Sequence, residues 1–437
     1  MKTLLKNTIL FGIMLMLLVT VGIFQSWNVA LAILNLCLIS AIMTMGVNIQ
    51  WGYAGLFNAG VMGFTALGGI AAVVISIPPV QSAWLAGGSR AMLGLLIGVI
   101  SIFLVVVVWK KTAKLGRIRY WLTALMVIGG YALMRMVIDP AIEAIEAIEP
   151  AKTGFLGGFG LPVIFSWIVG GAFAASVAWV VGRVSLGLRS DYLAIATLGI
   201  SEIIIYFLKY EEWLTRGVKN VNGIPRPVPY EIDLQNTLWL QEWAERFEMP
   251  VIELSSIIVK ISYASLFITV LLVIFYLSET ALKSPWGRMM RAIRDNETAA
   301  NAMGKNVTWR HLQVFVLGSA VVGMAGAMLT TLDGQFTPAS YQPMRFTFLV
   351  WVMVIVGGSG NNLGSVLGGF VIWFFWIEAE PIGLALMNFI TSGMSQENPL
   401  RIHLLENAAH MRLMTMGLVL LLTLRFAPKG LIPEVKR

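Results

Sequence analysis

The chain has 437 residues, of which 57% are hydrophobic and only 12% charged, and it carries a net charge of +8. Soluble domains carry about a quarter of their residues charged, so the composition excludes an ordinary water-soluble enzyme or binding module. Long apolar runs broken by short polar ones also exclude an outer-membrane barrel, whose segments alternate over about ten residues. The basic balance reads as membrane orientation rather than nucleic-acid binding, because lysine and arginine collect on cytoplasmic loops. Cys37 stands alone inside an apolar run, where it acts as a small apolar residue, and no His/Cys spacing suits zinc.

A membrane-crossing helix needs about 20 apolar residues. In chain order the candidates are Thr8–Phe24, Val29–Ile49, Ala59–Ile77, Ala91–Trp109, Trp121–Ile138, Pro162–Gly182, Tyr192–Leu208, Ile257–Leu277, Leu312–Thr331, Phe346–Gly357, Leu363–Ile377 and Met411–Phe426. Phe346–Gly357 and Leu363–Ile377 are short and glycine-rich and could form one re-entrant pair covered by protein, which puts the number of full spans at ten to twelve. The fold class is all-α: a polytopic transmembrane helical bundle with some broken segments, one domain over residues 1–437.

Alternating the loops from a cytoplasmic N-terminus places 19 basic residues inside and 10 outside. The positive-inside rule then puts both termini in the cytoplasm. Lys2 and Lys6, an apolar run and Ala30-Leu31-Ala32 also have the shape of a cleavable signal peptide, whose removal would leave the later assignments unchanged. Two long outer loops result, at 209–256 and 378–410. The first carries the turn-forming Asn222–Pro227 and then Trp239, Trp243 and Phe247 at helical spacing. Aromatics at that spacing mark a helix lying at the bilayer surface or packed on the spans; the functional alternative is that these loops form a platform for an extracytoplasmic partner.

No phosphate loop of the form G-x-x-x-x-G-K-[ST] occurs, so nothing in the chain supplies the cradle for nucleotide hydrolysis. His311, His403 and His410 stand at segment edges or in a loop and read as solvated interfacial residues. Two glycine-rich stretches carry more. Gly52, Gly55, Asn58 and Gly60 open one span, and Gly357, Gly358 and Gly364 join the two shortest segments. Broken helices at membrane depth line substrate paths in transporters, and equally permit close helix packing. Thr197, Gly199 and Glu202 lie within one span. A carboxylate there costs at least a few kcal/mol unless paired or hydrated; Arg135 and Lys260 are the possible partners, and Glu202 is expected to lock or gate the bundle.

The inner loop 278–311 shows the sharpest pattern. Ser284-Pro285 starts a helix well, and Arg288, Arg291 and Arg294 recur every three residues along it. After Asp295-Asn296 a second short helix, Glu297–Met303, is expected to end on a left-handed Gly304. Such a capped pair could dock a soluble partner.

At this loop the chain resembles the permease subunits of ATP-binding-cassette importers, in particular the branched-chain amino acid permeases of the LivM type. The resemblance rests on Arg189–Gly199 with Glu202 and Asn222-Gly223-Ile224, on Gly287-Arg288 through Ala292-Ile293-Arg294-Asp295-Asn296-Glu297 with Ala299 and Gly304, on Val356–Gly368, and on Phe426–Leu431. It implies that Gly287, Arg288, Arg291, Ala292, Arg294, Asp295, Glu297, Ala299 and Gly304 belong to a coupling element that enters a cleft on an ATPase subunit. It implies as partners a second permease subunit, a LivH-like homologue; two cytoplasmic ATP-binding subunits, which hold the ATP-Mg while this chain binds no cofactor; and a periplasmic solute-binding protein. The location implied is the bacterial inner membrane. Val61 stands where the family often has histidine, and the segment Pro78–Ile164 is longer than usual, which leaves the solute open. Branched-chain or other apolar amino acids lead; urea, short amides or another small organic solute are alternatives. An ion-coupled secondary transporter would normally carry several intramembrane acids, against the one, Glu202, assigned here.

Overall fold

The computed structural model describes residues 2–114, 116–149 and 153–434, with side chains from Leu5 onward. The tail residues Lys436 and Arg437, counted above as inner charges, lie outside the described residues. Three helices open the chain: α1 (Lys2–Phe24), α2 (Trp27–Ala54) and α3 (Val61–Ser76). A short α4 (Gln81–Ala83) runs through a π-helical turn into α5 (Ser89–Lys111), which forms a hairpin with α6 (Ile118–Glu146); α7 (Ile164–Ser185) and α8 (Ser190–Tyr210) follow. The outer segment holds α9 (Glu212–Thr215), α10 (Glu231–Gln235) and α11 (Leu238–Arg246) before the long α12 (Val251–Lys283). Next come α13 (Pro285–Asp295), α14 (Glu297–Ala302), α15 (Val307–Asp333), α16 (Pro343–Gly357), α17 (Asn362–Ile390), α18 (Pro399–Glu406) and α19 (Met411–Phe426). Two-residue strands β1 (Val221–Asn222) and β2 (Gln335–Phe336) pair antiparallel, Val221 opposite Phe336.

Every predicted apolar segment coincides with a helix, although Ala59–Ile77 and Pro162–Gly182 overrun α3 and α7 by one or two residues at their ends. Among the described residues ten helices are long and apolar enough to cross a membrane, and α3 and α16 are shorter. The protein is a multi-pass membrane protein. The reading of Phe346–Gly357 and Leu363–Ile377 as a pair of short re-entrant segments is corrected: α16 has 15 residues, but α17 has 29, runs on through Glu378 to Ile390 and is long enough to span. Pro381 does not stop α17, because the membrane-embedded helix has neighbours that stabilise it beyond the apolar run. The outer loop predicted from residue 378 therefore begins as helix.

The interior is built around α2, which packs against α12, α15 and α17. Against it lies a three-helix unit of α3, α7 and α15, whose backbones approach closely at small residues. A Cβ on Gly68 would overlap the carbonyl oxygen of Gly323, and one on Gly170 would sit 3.1 Å from the Ala327 Cβ. By contrast the α5–α6 hairpin stands at the edge, with 11% and 6% of its apolar windows buried.

A candidate coupling junction at one end of the bundle

The C-terminal ends of α2, α12 and α16, the start of α17, helices α13 and α14 and the chain's tail converge at one end, the end that the charge rule assigns to the cytoplasm. The elbow from α12 into α13 follows from its sequence. Ser284 caps α13 by accepting from the Gly287 N–H at 3.4 Å, and Pro285 occupies the first turn. A Cβ on Gly287 would crowd the carbonyl oxygens of Ala281 and Leu282, so glycine lets the two helices meet at this angle. Asn296 then caps α14, accepting from the Ala299 N–H at 2.9 Å. Gly304 closes it with φ +76°, while the Lys305 N–H reaches the Ala300 carbonyl at 3.2 Å. The predicted capped pair is present.

Its residues divide between two faces. Met290 and Ile293 are buried and turn α13 toward α2. Arg288, Ala292, Asp295, Glu297, Ala299 and Gly304 are exposed. Arg291 and Arg294 are half-buried and turned inward. Arg291 donates to the Leu282 carbonyl at 3.4 Å. Arg294 donates to the carbonyl oxygen of Gly52 at the end of α2 and pairs with Glu434 of the tail at 2.9 Å. The even three-residue spacing of the arginines therefore does not give one docking face: Arg294 is spent on the bundle itself.

The two glycine-rich stretches meet here. A Cβ on Gly52 would lie 2.5 Å from the Gly360 nitrogen. Asn48 accepts from the Gly360 N–H at 2.8 Å and donates to Asn362 at 3.1 Å, and Tyr53 donates to the same Asn362 oxygen at 2.6 Å. The Asn362 amide donates in turn to Glu279 of α12 at 2.9 Å. Gly358, at φ +117°, makes the turn that only glycine accepts, and the tail lies against it: Leu431 and Ile432 donate to the carbonyls of Val356 and Gly357 at 2.8 and 3.0 Å. Asn361 caps α17 and also donates to the Pro433 carbonyl at 3.0 Å. Gly357 and Gly364 face each other across the turn, each blocked from a side chain by the other's carbonyl.

Deeper in, Asn58 donates to Gln50 at 2.9 Å and accepts from the Gly60 N–H at 2.8 Å. Gln50 donates to the Phe315 carbonyl and Ser319 of α15, both at 3.0 Å. The Ala59 N–H donates to Thr197 of α8 at 3.0 Å, and Gly60 packs on the Thr197 carbonyl. The segment after the left-handed Gly55 is thus stitched to α2, α8 and α15. Beside it, Trp51, Phe57 and Trp351 form an aromatic cluster with ring centroids 4.3 to 5.7 Å apart, and the Trp351 indole donates to the Asn58 carbonyl at 3.0 Å.

Gly199 and Glu202 do not join this assembly. Gly199 faces outward with open space at its Cβ position. Neither proposed partner meets Glu202: Arg135 pairs with Asp139 at 3.0 Å, and Lys260 donates to Asn28 at 2.9 Å. Arg135 is satisfied by a neighbour one turn away and Lys260 by Asn28 at the start of α2, and the spacing of distant spans foresees neither. Nor is Glu202 the only acid within a span. Glu378 on α17 is 2% exposed and accepts from Gln25 at 2.7 Å. His311, expected to be solvated, is 8% exposed, because α15 begins before it at Val307. Asn48, Gln50, Tyr53, Glu279, Asn362 and the three aromatics escaped the sequence reading. The available signal was amide side chains inside apolar runs, which are there to bond across helices.

Residues 121–424 match the protein family described as branched-chain amino acid transport system / permease component. The chain belongs to that family. It is similar to a probable branched-chain amino acid transport permease protein LivM of Methanocaldococcus jannaschii, 26% identical over 60% of this chain and 66% of that one. It is likewise similar to the high-affinity branched-chain amino acid transport system permease protein LivM of Escherichia coli, 26% identical over 47% of this chain and 48% of that one. The corresponding LivH protein of Salmonella typhimurium is 23% identical over 55% of this chain and 67% of that one. The matches to the two LivM proteins thus span about half to two thirds of their length. No solved structure matches. The family match runs from within α6 to within α19, so the α13–α14 pair and the α16–α17 turn lie inside it, whereas the α2 half of the junction precedes it and the tail with Glu434 follows it.

Proposed function

We propose that this permease is the membrane subunit of an ATP-driven importer that carries branched-chain or other apolar amino acids across a bacterial inner membrane, with both termini in the cytoplasm. A second, LivH-like permease subunit, two ATP-binding subunits holding ATP-Mg and an extracytoplasmic solute-binding protein would complete it. The observation that carries the reading is the α13–α14 pair: rigidly capped, exposed on one face, and anchored on the other to the end of α2 and the α16–α17 turn. A push on the exposed face moves the Arg294 guanidinium, and with it the Gly52 carbonyl and the tail at Glu434. Packed helices shift as units rather than deform, so the movement reaches the Asn58–Thr197 contact and the aromatic cluster at the other end of the same loop. Alternating access needs such a link. The chain's own role is non-catalytic, with hydrolysis in the partner subunits.

The test is gentle extraction of the tagged protein from its native host with mass spectrometry of what co-purifies, followed by uptake of labelled leucine in proteoliposomes containing the complex. Recovery of ATP-binding subunits and ATP-dependent leucine uptake supports the reading. An active transporter recovered without any ATPase, under conditions that preserve a known importer complex, overturns it.

A further inference from the structure

The α5–α6 hairpin has no part in the coupling junction. It is fastened to the bundle near its outer end, where Ala83, Ala91, Ala141, Ile145, Leu156 and Trp213 form an apolar cluster of their own. Toward the inner end the two helices meet mainly each other, and side chains such as Ile102 and Phe103 are 68% and 66% exposed. Hydrocarbon is the medium that such a surface requires.

The inner tip is different in kind. Lys110, Lys111, Lys114, Arg117 and Arg119 fall between Trp109 and Tyr120, with no acidic residue among them. At this end of the protein several basic side chains are occupied, Arg294 by Gly52 and Glu434, Arg288 by the Lys283 carbonyl, Lys283 by Glu279 and Arg310 by Gln313, while Arg189, Lys305, Arg425 and Lys429 are exposed but scattered over separate segments. Lys110, Lys111, Lys114 and Arg117 are exposed and, among the described residues, have no hydrogen-bond or ion-pair partner in the protein. Arg119 lies flat on the Trp109 ring at 3.5 Å, and its buried Nε–H also lacks an acceptor. Tyr120 packs edge-on against Trp109, and the adjoining Trp121 is 79% exposed.

We propose that this tip is a binding site for the headgroup phosphates of anionic phospholipids in the inner leaflet. Topological retention explains an excess of positive charge, but it does not require donors held without partners beside a stacked guanidinium. Phosphate oxygens supply both the charge and the acceptors. Tryptophan and tyrosine settle at headgroup depth, and a basic cluster just inside a membrane helix gains from the negative surface of that leaflet. A soluble acidic protein would meet the charges but leave Trp121 and the apolar flanks uncovered, so a lipid is the occupant that fits the whole tip. The inference stands independently of the importer reading.

Native mass spectrometry of the full-length protein tests it, with phosphatidylglycerol and phosphatidylcholine of the same acyl chains added in equal amounts. The wild type should retain phosphatidylglycerol several-fold over phosphatidylcholine, and K110Q/K111Q/K114Q/R117Q should lose that preference while keeping its melting temperature. The pairs K110Q/K111Q and K114Q/R117Q carry the test should the fourfold variant fail to assemble; each should lose part of the preference. Equal retention of both lipids by the wild type, or unchanged preference in the variants, overturns the proposal. So does displacement of the lipid by an equal concentration of inorganic phosphate, which would mark a free-anion site instead.

Discussion

Arg294 and Glu434 form an ion pair at 2.9 Å between a helix in the middle of the sequence and the last described residue of the chain. The same guanidinium donates to the Gly52 carbonyl, so three segments far apart in sequence depend on one side chain. Both partners are 23% exposed, which leaves the pair only partly screened. Hydrogen bonds to charged groups contribute about 1.5–3 kcal/mol, so Arg294→Ala should destabilise the junction by a few kcal/mol. The expected result is a lower melting temperature in detergent, with the tail becoming accessible to carboxypeptidase. Glu434→Gln keeps the shape and one hydrogen bond, and should show a smaller loss. Equal melting temperatures for all three proteins would contradict the arrangement.

Asn362 is the hub of the polar chain that joins α2, α12 and α17. It is 1% exposed and serves Asn48, Tyr53 and Glu279 at once. Leucine at this position has a similar volume but leaves three polar groups facing each other without their common partner, each costing about 1–3 kcal/mol when it cannot reach water. Asn362→Leu should therefore lower stability more than Tyr53→Phe, which removes only one bond. Thermal unfolding of the two variants in the same detergent decides the order, and the reverse order would count against the network.

The helices and their order were legible because a membrane demands long apolar runs and because the basic residues divide unevenly between the loops. The caps of α13 and α14 were legible for a local reason: Ser284, Pro285, Asn296 and Gly304 act within four residues of themselves. What the sequence could not give was pairing across helices. Arg135 and Lys260 are both possible partners for Glu202 by sequence, yet Arg135 is satisfied by Asp139 one turn away and Lys260 by Asn28. Arg294 looked like its neighbours Arg288 and Arg291, and only the fold brings Gly52 and Glu434 to it. Hydropathy also ends the segment that becomes α17 too early, at Ile377, because Glu378 is polar; its bond to Gln25 lets the helix continue.

Gly68 offers a test of the packing rather than of the polar chain. Its missing side chain is what allows α3 to lie on Gly323 of α15, and an added methyl would overlap the Gly323 carbonyl, which is backbone and cannot swing away. Overpacking typically costs about 1–3 kcal/mol, and here two helices must separate. Gly68→Ala is expected to reduce assembled protein in the membrane, measured by fluorescence-detected size exclusion. Gly199→Ala, on an open outward face, should leave the profile unchanged and serves as its control.

Charge reversal at two arginines of α13 separates docking from anchoring. Arg288 is exposed and touches only the Lys283 carbonyl, whereas Arg294 is bound to α2 and to the tail. Arg288→Glu should therefore leave the stability of the isolated permease within about 0.5 kcal/mol, as surface substitutions do, while weakening its association with the proposed ATP-binding subunits. Arg294→Glu places a carboxylate opposite Glu434 and beside a carbonyl, so it should destabilise the permease before any partner is added. The two measurements are thermal unfolding of the permease alone and recovery of ATPase subunits on it by affinity capture. If Arg288→Glu captured the subunits as well as the wild type did, the exposed face of α13 would not be the docking face. If Arg294→Glu unfolded like the wild type, the link from α13 to the Gly52 turn would carry no load, and a push on the coupling pair would have no route into the bundle through that residue.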